Sequence, residues 1–88
     1  MGVMEQSSFV MLPDMSVNDA LDEIRTYLEY EGYSVERFCA FVKSRYKSYD
    51  KIGVTMTPST GKVTIRRDPC KPFLDNYQLA MDGSWIAT

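Results

Sequence analysis

The sequence contains no histidine among its 88 residues. This absence excludes histidine-ligated metals, Ser–His and Cys–His catalytic pairs, and the side chain that most often changes its charge near neutral pH. Cysteine is scarce as well, because Cys39 and Cys70 are the only two and no CxxC pair exists. Two isolated thiols do not supply the four ligands of a structural zinc site. We therefore expect no metal and no cofactor.

Long apolar runs and known catalytic loops are also missing. No stretch approaches the roughly 20 apolar residues of a membrane span, and residues 1–6 lack the basic and apolar regions of a signal peptide. These features predict a cytoplasmic protein with reduced thiols and no membrane contact. The sequence has no GxGxxG, P-loop or GxSxG motif. It predicts no catalytic residues, no enzyme activity and no small-molecule substrate.

The residues that are present have the composition of a small globular protein. Hydrophobic residues make up 44% of the chain and charged residues 25%, which is ordinary for a folded domain. The length leaves no room for two domains of typical size. We expect residues 1–88 to form a single domain, with residues 1–7 as a flexible lead.

Hydrophobic periodicity predicts an α+β fold. A short apolar run predicts a strand over about 8–12, which a following proline–aspartate pair should end. Two apolar stripes with spacings of three and four predict helices over about 16–31 and 34–49. Gly32 lies between them and favours a tight turn, so the two helices should form a hairpin.

The second half of the chain predicts β-structure. Alternating apolar and polar residues predict a hairpin over about 51–67, with its turn at 58–61. Asp82 and Gly83 favour a second hairpin over about 76–87. The predicted order is β-α-α-β-β with a β-rich C-terminal tail. The helix hairpin should pack on a small antiparallel sheet.

The charge of the chain is divided by segment, although the net charge is only −2. Residues 1–36 carry eight acids and one base, whereas residues 37–67 carry eight bases and one acid. One interpretation is that the two helices simply attract each other. The other is a continuous basic face that binds nucleic acid or an acidic protein surface. The candidate contact residues of that face are Arg37, Lys43, Lys47, Lys62, Arg66 and Arg67.

The stretch EGYSVERF at 31–38 resembles the turn of a helix-turn-helix motif. Residues 8–67 are similar to the strand-helix-helix-strand-wing-strand part of a winged helix. This resemblance implies that the turn at 58–61 is a wing and that the second helix reads nucleic acid. The sequence departs from the pattern at Leu28, where the motif usually has a small residue, and it lacks the preceding helix.

A protein-binding function is the alternative hypothesis. The chain holds six tyrosines, four phenylalanines and one tryptophan, and protein interfaces favour such residues. The candidate interface aromatics, which the core stripes do not account for, are Tyr30, Phe41, Tyr77 and Trp85, although a small domain also needs aromatics for its own core. A short sequence without histidine or motifs is typical of phage and mobile-element accessory proteins. Such a protein binds and inhibits or adapts a host protein, for example a nucleic-acid enzyme.

Overall fold

A computed structural model describes residues 9–47, 49–67 and 73–88. These residues form two helices and a five-stranded antiparallel sheet, which confirms the predicted α+β class. The predicted lead at 1–7 lies outside the described residues. The elements are β1 (Val10–Ser16), α1 (Val17–Tyr30), α2 (Glu36–Arg45), β2 (Lys51–Thr57), β3 (Lys62–Arg67), β4 (Phe73–Leu79) and β5 (Trp85–Ala87).

The strands lie in the sheet in chain order, β1-β2-β3-β4-β5, and each pairs with its neighbour in antiparallel fashion. Both helices occur between β1 and β2 in the sequence and pack on one face of the sheet. We call this the inner face. Because side chains alternate along a strand, every second strand residue points to the opposite, outer face. Among the described elements, none covers the outer face.

The hydrophobic core lies between the helices and the inner face. Its buried residues are all apolar, and no polar or charged residue in the described part of the chain is buried. The core residues are Val17, Ala20, Leu21, Ile24, Leu28, Tyr33, Val35, Phe38, Cys39, Val42, Tyr46, Ile52, Val54, Met56, Val63, Ile65, Tyr77 and Leu79. A core of this kind offers packing and no buried polar chemistry.

Local capping fixes both ends of α1. The Ser16 hydroxyl accepts a hydrogen bond from the Asp19 N–H at 3.2 Å and caps the first turn. At the other end Gly32 has a φ of 96°, and the Tyr33 N–H donates to the Leu28 carbonyl at 3.0 Å. This bond belongs to a Schellman motif, which needs a left-handed residue. The turn reverses the chain and directs Tyr33 into the core.

The first strand is longer than predicted. The sequence predicts a strand over about 8–12 that ends before Pro13, whereas β1 spans Val10–Ser16 and includes that proline. The register between β1 and β2 shifts between Leu12 and Met15, so the proline lies in a bulge. Proline lacks an N–H donor and is tolerated at bulges of edge strands. Since β1 is an edge strand, the chain continues through the proline.

The second helix is shorter than predicted at its beginning. The sequence predicts a helix over 34–49 with Ser34 as its cap, whereas α2 spans Glu36–Arg45. Val35 is the N-cap residue, and no side-chain hydrogen bond caps the helix. Val35 is completely buried. Burial of this apolar side chain therefore decides the start of α2, against the local preference for a serine cap.

The same helix also ends early. Tyr46 has an extended backbone with φ −112° and ψ 145°, so the helix does not continue into the predicted last turn. This conformation buries the Tyr46 ring, and its hydroxyl donates to the Asp75 carboxylate on β4 at 2.5 Å. Tyr49, predicted on the same helical stripe, is 77% exposed. A buried ring with a hydrogen bond outweighs one further helical turn.

Candidate functional site

The outer face carries polar, charged and exposed apolar residues in three rows that cross the strands, beside the pair Ser16 and Lys51 at one end. The strand register defines these rows. In the first row, Asp14 lies beside Gly53, Arg66 and Leu74; the second contains Met11, Thr55, Thr64 and Asn76; the third contains Thr57, Lys62, Gln78 and Ile86. Surface of this composition can contact a protein partner without disturbing the core.

Three of these residues are large apolar side chains in contact with solvent. Met11 is 70% exposed, Leu74 is 55% exposed and Ile86 is 64% exposed. Single exposed apolar residues are ordinary on a protein surface. Here three of them share one sheet face that no described element covers, and such a face is a candidate interaction surface.

Gly53 makes room for an ion pair at the centre of the first row. A Cβ atom at this position would lie 2.8 Å from Asp14 Oδ1 and 2.9 Å from Arg66 Nη2. Arg66 Nη2 donates to Asp14 Oδ1 at 3.1 Å, and the two side chains are 48% and 34% exposed. A glycine inside a strand costs about 0.5–1 kcal/mol relative to alanine, whereas an exposed ion pair stabilises by about 0–1 kcal/mol. The two contributions nearly cancel, so stability alone does not account for this arrangement.

A groove of about 320 Å³ lies above Gly53. Its two apolar ends are formed by Met11 on β1 and Leu74 on β4, and its middle is polar. The residues that line it include Met11, Pro13, Gly53, Thr64, Arg66 and Leu74. Pockets that recognise ligands combine apolar walls with a few polar groups. This groove is small and has the same combination of apolar and polar side chains.

The outer face is positively charged. Its strand residues within the described ranges include the bases Lys51, Lys62 and Arg66 and the acid Asp14, which gives a net charge of +2. Lys51 points outward because its neighbour Ile52 is buried on the inner face. This charge complements an acidic partner.

The six bases of the predicted basic face are divided between the two sides of the molecule. Lys62 and Arg66 lie on the outer face, because the alternate residues Val63 and Ile65 are buried on the inner face. Arg37 and Lys43 belong to α2, which packs on the inner face. The sheet therefore separates the two groups, and they do not form the continuous patch that the charge distribution predicts. Lys47 follows α2 and is exposed.

All three arginines among these bases have partners within the fold, since Arg66 forms the ion pair with Asp14 and Arg37 and Arg67 have contacts of their own. Arg37 donates to the Asp82 carbonyl at 3.1 Å, next to the turn between β4 and β5. Hydrogen bonds from the Ser84 N–H and hydroxyl hold the pKa of Asp82 below its usual value. The Arg67 guanidinium lies 5.8 Å from the centre of the Tyr46 ring. These contacts tie Arg37 and Arg67 to internal partners.

The predicted interface aromatics have mostly structural positions. Phe41, Tyr77 and Trp85 surround Phe38, with ring-centre distances between neighbouring rings of 5.2–6.3 Å. Tyr77 is 4% exposed, and this cluster joins α2 to β4 and β5. Tyr30 is the exception, since it is 87% exposed on α1. The core therefore uses three of the four aromatics that the sequence predicts at an interface.

The turn at 58–61 does not project as a wing. Pro58 is buried, and Gly61 has a φ of 79°. A Cβ atom on Gly61 would lie 2.7 Å from both the Tyr33 ring and the Leu79 carbonyl oxygen. The turn thus packs against the body of the protein, and its strands β2 and β3 are central in the sheet. The implied winged-helix arrangement has no free wing here.

The described residues offer little for catalysis. Cys39 is buried, and this burial raises the pKa of its thiol, so the reactive thiolate is disfavoured. Cys70 lies outside the described residues. Within the described ranges, no group of three or more acidic or cysteine side chains is placed to hold a metal ion. The helices described here are also too short or too polar to cross a membrane.

Sequence reasoning did not identify the apolar residues of the outer face. Met11 belongs to the apolar run FVML, which predicts a strand buried on both sides. Leu74 and Ile86 belong to the C-terminal tail, where the sequence pattern does not indicate which residues share a face. A usable signal exists in β2 and β3, whose alternation shows that one face of the sheet is polar. Extending that alternation to the other strands requires the register, which the sequence does not contain.

Comparisons with known protein families, curated proteins and solved structures found no significant match. The function is therefore argued from the geometry of the chain itself.

Proposed function

We propose that this chain is a non-enzymatic protein-binding module that uses its outer face to contact an acidic protein surface. It would act as an adaptor or an inhibitor by covering that surface. The observation that carries the proposal is the contrast between the two faces of the sheet. Most of the inner face is covered by the core, whereas the outer face leaves Met11, Leu74 and Ile86 exposed on the side that carries Lys62 and Arg66.

The composition of the outer face supports a protein partner over a nucleic acid. Sheets that bind single-stranded nucleic acid use aromatic rings as stacking platforms. In the described strands, the outward positions carry no aromatic ring, and the aromatic residues Tyr77 and Trp85 point inward. Duplex binding needs several phosphate contacts from one surface, whereas here the sheet divides the candidate bases. Exposed apolar side chains beside positive charge instead suit an acidic protein surface.

Charge argues against a second copy as the partner. Two outer faces in contact would each bring a net charge of +2 from their described strand residues. Like charges in contact across an interface weaken association and suppress that pairing. An acidic surface avoids this repulsion.

Affinity capture with paired variants tests the proposal. The tagged chain is used as bait, and Leu74→Asp with Ile86→Asp places two negative charges on the outer face. We expect the wild-type chain to retain a stoichiometric protein partner and the double variant to lose at least about tenfold in affinity, since buried interface anchors are worth more than 1 kcal/mol each. Tyr30→Asp is the matched control, because Tyr30 is exposed on α1, and it should keep the partner.

Two results would contradict the proposal. One is a partner that is retained by the double variant and lost by Tyr30→Asp, which would assign the contact to α1. The other is tight, salt-dependent binding of labelled DNA or RNA in fluorescence anisotropy, with no protein partner captured. Circular dichroism of each variant verifies that the fold is intact before binding is compared.

A further inference from the structure

We propose that the groove above Gly53 binds an acidic side chain of the partner between two apolar side chains, and that Arg66 selects the carboxylate. This inference rests on the proposed function, because it specifies what the outer face recognises. The partner segment would be extended and cross the strands, with the pattern apolar-x-acidic-x-apolar.

The dimensions of the groove fit this pattern. Neighbouring strands lie about 4.8 Å apart, and the rows of Met11 on β1 and Leu74 on β4 are offset by two residues, so the two positions are separated by about 16 Å along a diagonal of the sheet. Arg66 lies between them on β3. In an extended chain, alternate side chains lie about 7 Å apart and point the same way. Three alternate side chains therefore reach from Met11 to Leu74, with the middle one near Gly53 and Arg66.

The chemistry of Arg66 suits a carboxylate. Its guanidinium is a planar group with several N–H donors, which can bind both oxygens of a carboxylate. The side chain is 48% exposed and touches one Asp14 oxygen at 3.1 Å. The space that the missing side chain of Gly53 leaves is taken up by the Asp14 carboxylate and the Arg66 guanidinium, so an incoming carboxylate has to displace that of Asp14. Asp14 thus acts as an internal competitor for the site that the partner's acid would occupy.

Competition from Asp14 predicts the direction in which a change at Asp14 alters the binding affinity. The bulge in β1 brings Asp14 toward Arg66, and bulges of edge strands often redirect a side chain next to a binding site. If the partner's carboxylate replaces the Asp14 contact, then removal of the Asp14 charge must strengthen binding. A purely structural ion pair would give no such gain.

The test uses the intact protein and a synthetic probe, acetyl-Leu-Thr-Glu-Thr-Leu-amide, in a two-dimensional amide NMR titration. We expect saturable shifts at Gly53, Thr55, Thr64 and the side chain of Arg66. Replacement of the probe's Glu by Gln should weaken binding by about fivefold to tenfold, because a charge-assisted hydrogen bond is lost. Replacement by Lys should abolish the shifts. A Lys probe that binds as well as the Glu probe would overturn the proposal.

Three variants sharpen the result. Asp14→Asn should strengthen binding of the Glu probe by about threefold, whereas Arg66→Gln should weaken it to the level of the Gln probe. Gly53→Ala places a methyl group 2.8 Å from Asp14 Oδ1 and 2.9 Å from Arg66 Nη2, so it should displace the Arg66 guanidinium and also weaken binding. Alanine is compatible with the backbone there, because Gly53 is not among the glycines with positive φ. Lys62→Gln is the matched control, since it removes the same charge outside the groove.

The outcomes separate this inference from the proposed function. If Lys62→Gln weakens probe binding as much as Arg66→Gln, the attraction is non-specific and the selective role of Arg66 is wrong. If the Glu probe causes no saturable shifts while partner capture still depends on Leu74 and Ile86, the groove proposal fails and the protein-binding function stands. If the Glu probe causes no saturable shifts and partner capture does not depend on Leu74 and Ile86, both proposals are wrong.

Discussion

The two faces of the sheet are built from the same strands and have opposite roles. On the inner face Ile52, Val54 and Ile65 are almost completely buried against the helices. On the outer face Met11 and Leu74 keep more than half of their surface in solvent. Neighbouring residues along a strand point to opposite faces. One of them is therefore fixed by packing in the core, and the next is not. Only the second kind is available to a partner.

The energies of the two faces differ accordingly. Full burial of a large apolar side chain contributes about 1.5–3 kcal/mol. An exposed side chain outside special contacts changes stability by less than about 0.5 kcal/mol when it is replaced. Substitutions on the inner face should thus change the free energy of unfolding, whereas substitutions on the outer face should change binding. Variants on each face, with unfolding and binding measured for both, separate these two contributions.

The largest loss is expected in the core between α2 and the inner face. Phe38 is completely buried and lies 5.3 Å from the Tyr77 ring and 5.7 Å from the Trp85 ring, between ring centres. Phe38→Ala should lower the free energy of unfolding by about 3–5 kcal/mol, because it leaves a cavity among three rings. Urea denaturation followed by circular dichroism measures the change. A loss below about 1 kcal/mol would mean that this cluster does not hold α2 on the sheet.

An intermediate effect with a pH dependence is expected at Tyr46. Its burial, together with the hydrogen bond to Asp75, raises the pKa of the phenol well above the ordinary value of about 10. At neutral pH, Tyr46→Phe should lower the free energy of unfolding by about 1–2 kcal/mol, because a hydrogen bond to a carboxylate is lost. The Asp75 carboxylate still has a partner in this variant, because Arg45 Nε lies 3.6 Å from Asp75 Oδ2.

The sign of the pH effect follows from the raised pKa. The protonated phenol contributes its stability below pH 10, and this contribution is lost as the pH rises above 10, because the unfolded chain releases the proton first. The wild-type protein should therefore lose stability more steeply than Tyr46→Phe between about pH 10 and 11.5. Denaturation midpoints across that range measure the difference. Parallel curves would show that Tyr46 titrates normally.

The smallest effect on stability is expected on the outer face. Leu74 is 55% exposed, so Leu74→Ser should change the free energy of unfolding by less than about 0.5 kcal/mol. The same variant should weaken partner binding, because Leu74 forms one end of the groove. Thermal denaturation and probe titration provide the two measurements. A large loss of stability at this position would mean that the two faces do not differ in the way described here.

Local signals predicted much of the helical layer. The apolar stripe through Ala20, Ile24 and Leu28 predicts α1, and Gly32 predicts the turn after it, because both depend on residues close in sequence. The same signals were wrong about the end of α2. That end depends on the contact between Tyr46 and Asp75, which are twenty-nine positions apart, and no local pattern contains it.

The candidate site was less accessible to sequence reasoning. Residues 37–67 do carry an excess of bases, but the distribution of charge along a chain does not determine its distribution in space. Arg37 belongs to the helical layer and Arg66 to the opposite side of the sheet. The ion pair of Arg66 joins it to Asp14, fifty-two positions away. The groove forms from four strands that meet only after the chain has folded.

By itself, the sequence determined the α+β class and the apolar periodicity that forms two helices and a sheet, because periodicity acts over a few residues. It also determined which chemistry is lacking, since a histidine that is not in the chain cannot be supplied by folding. The tertiary structure alone decided the strand register, the side of the sheet that the helices cover and the groove above Gly53. Those features depend on contacts between residues far apart in sequence, and their energies exist only once the core has formed.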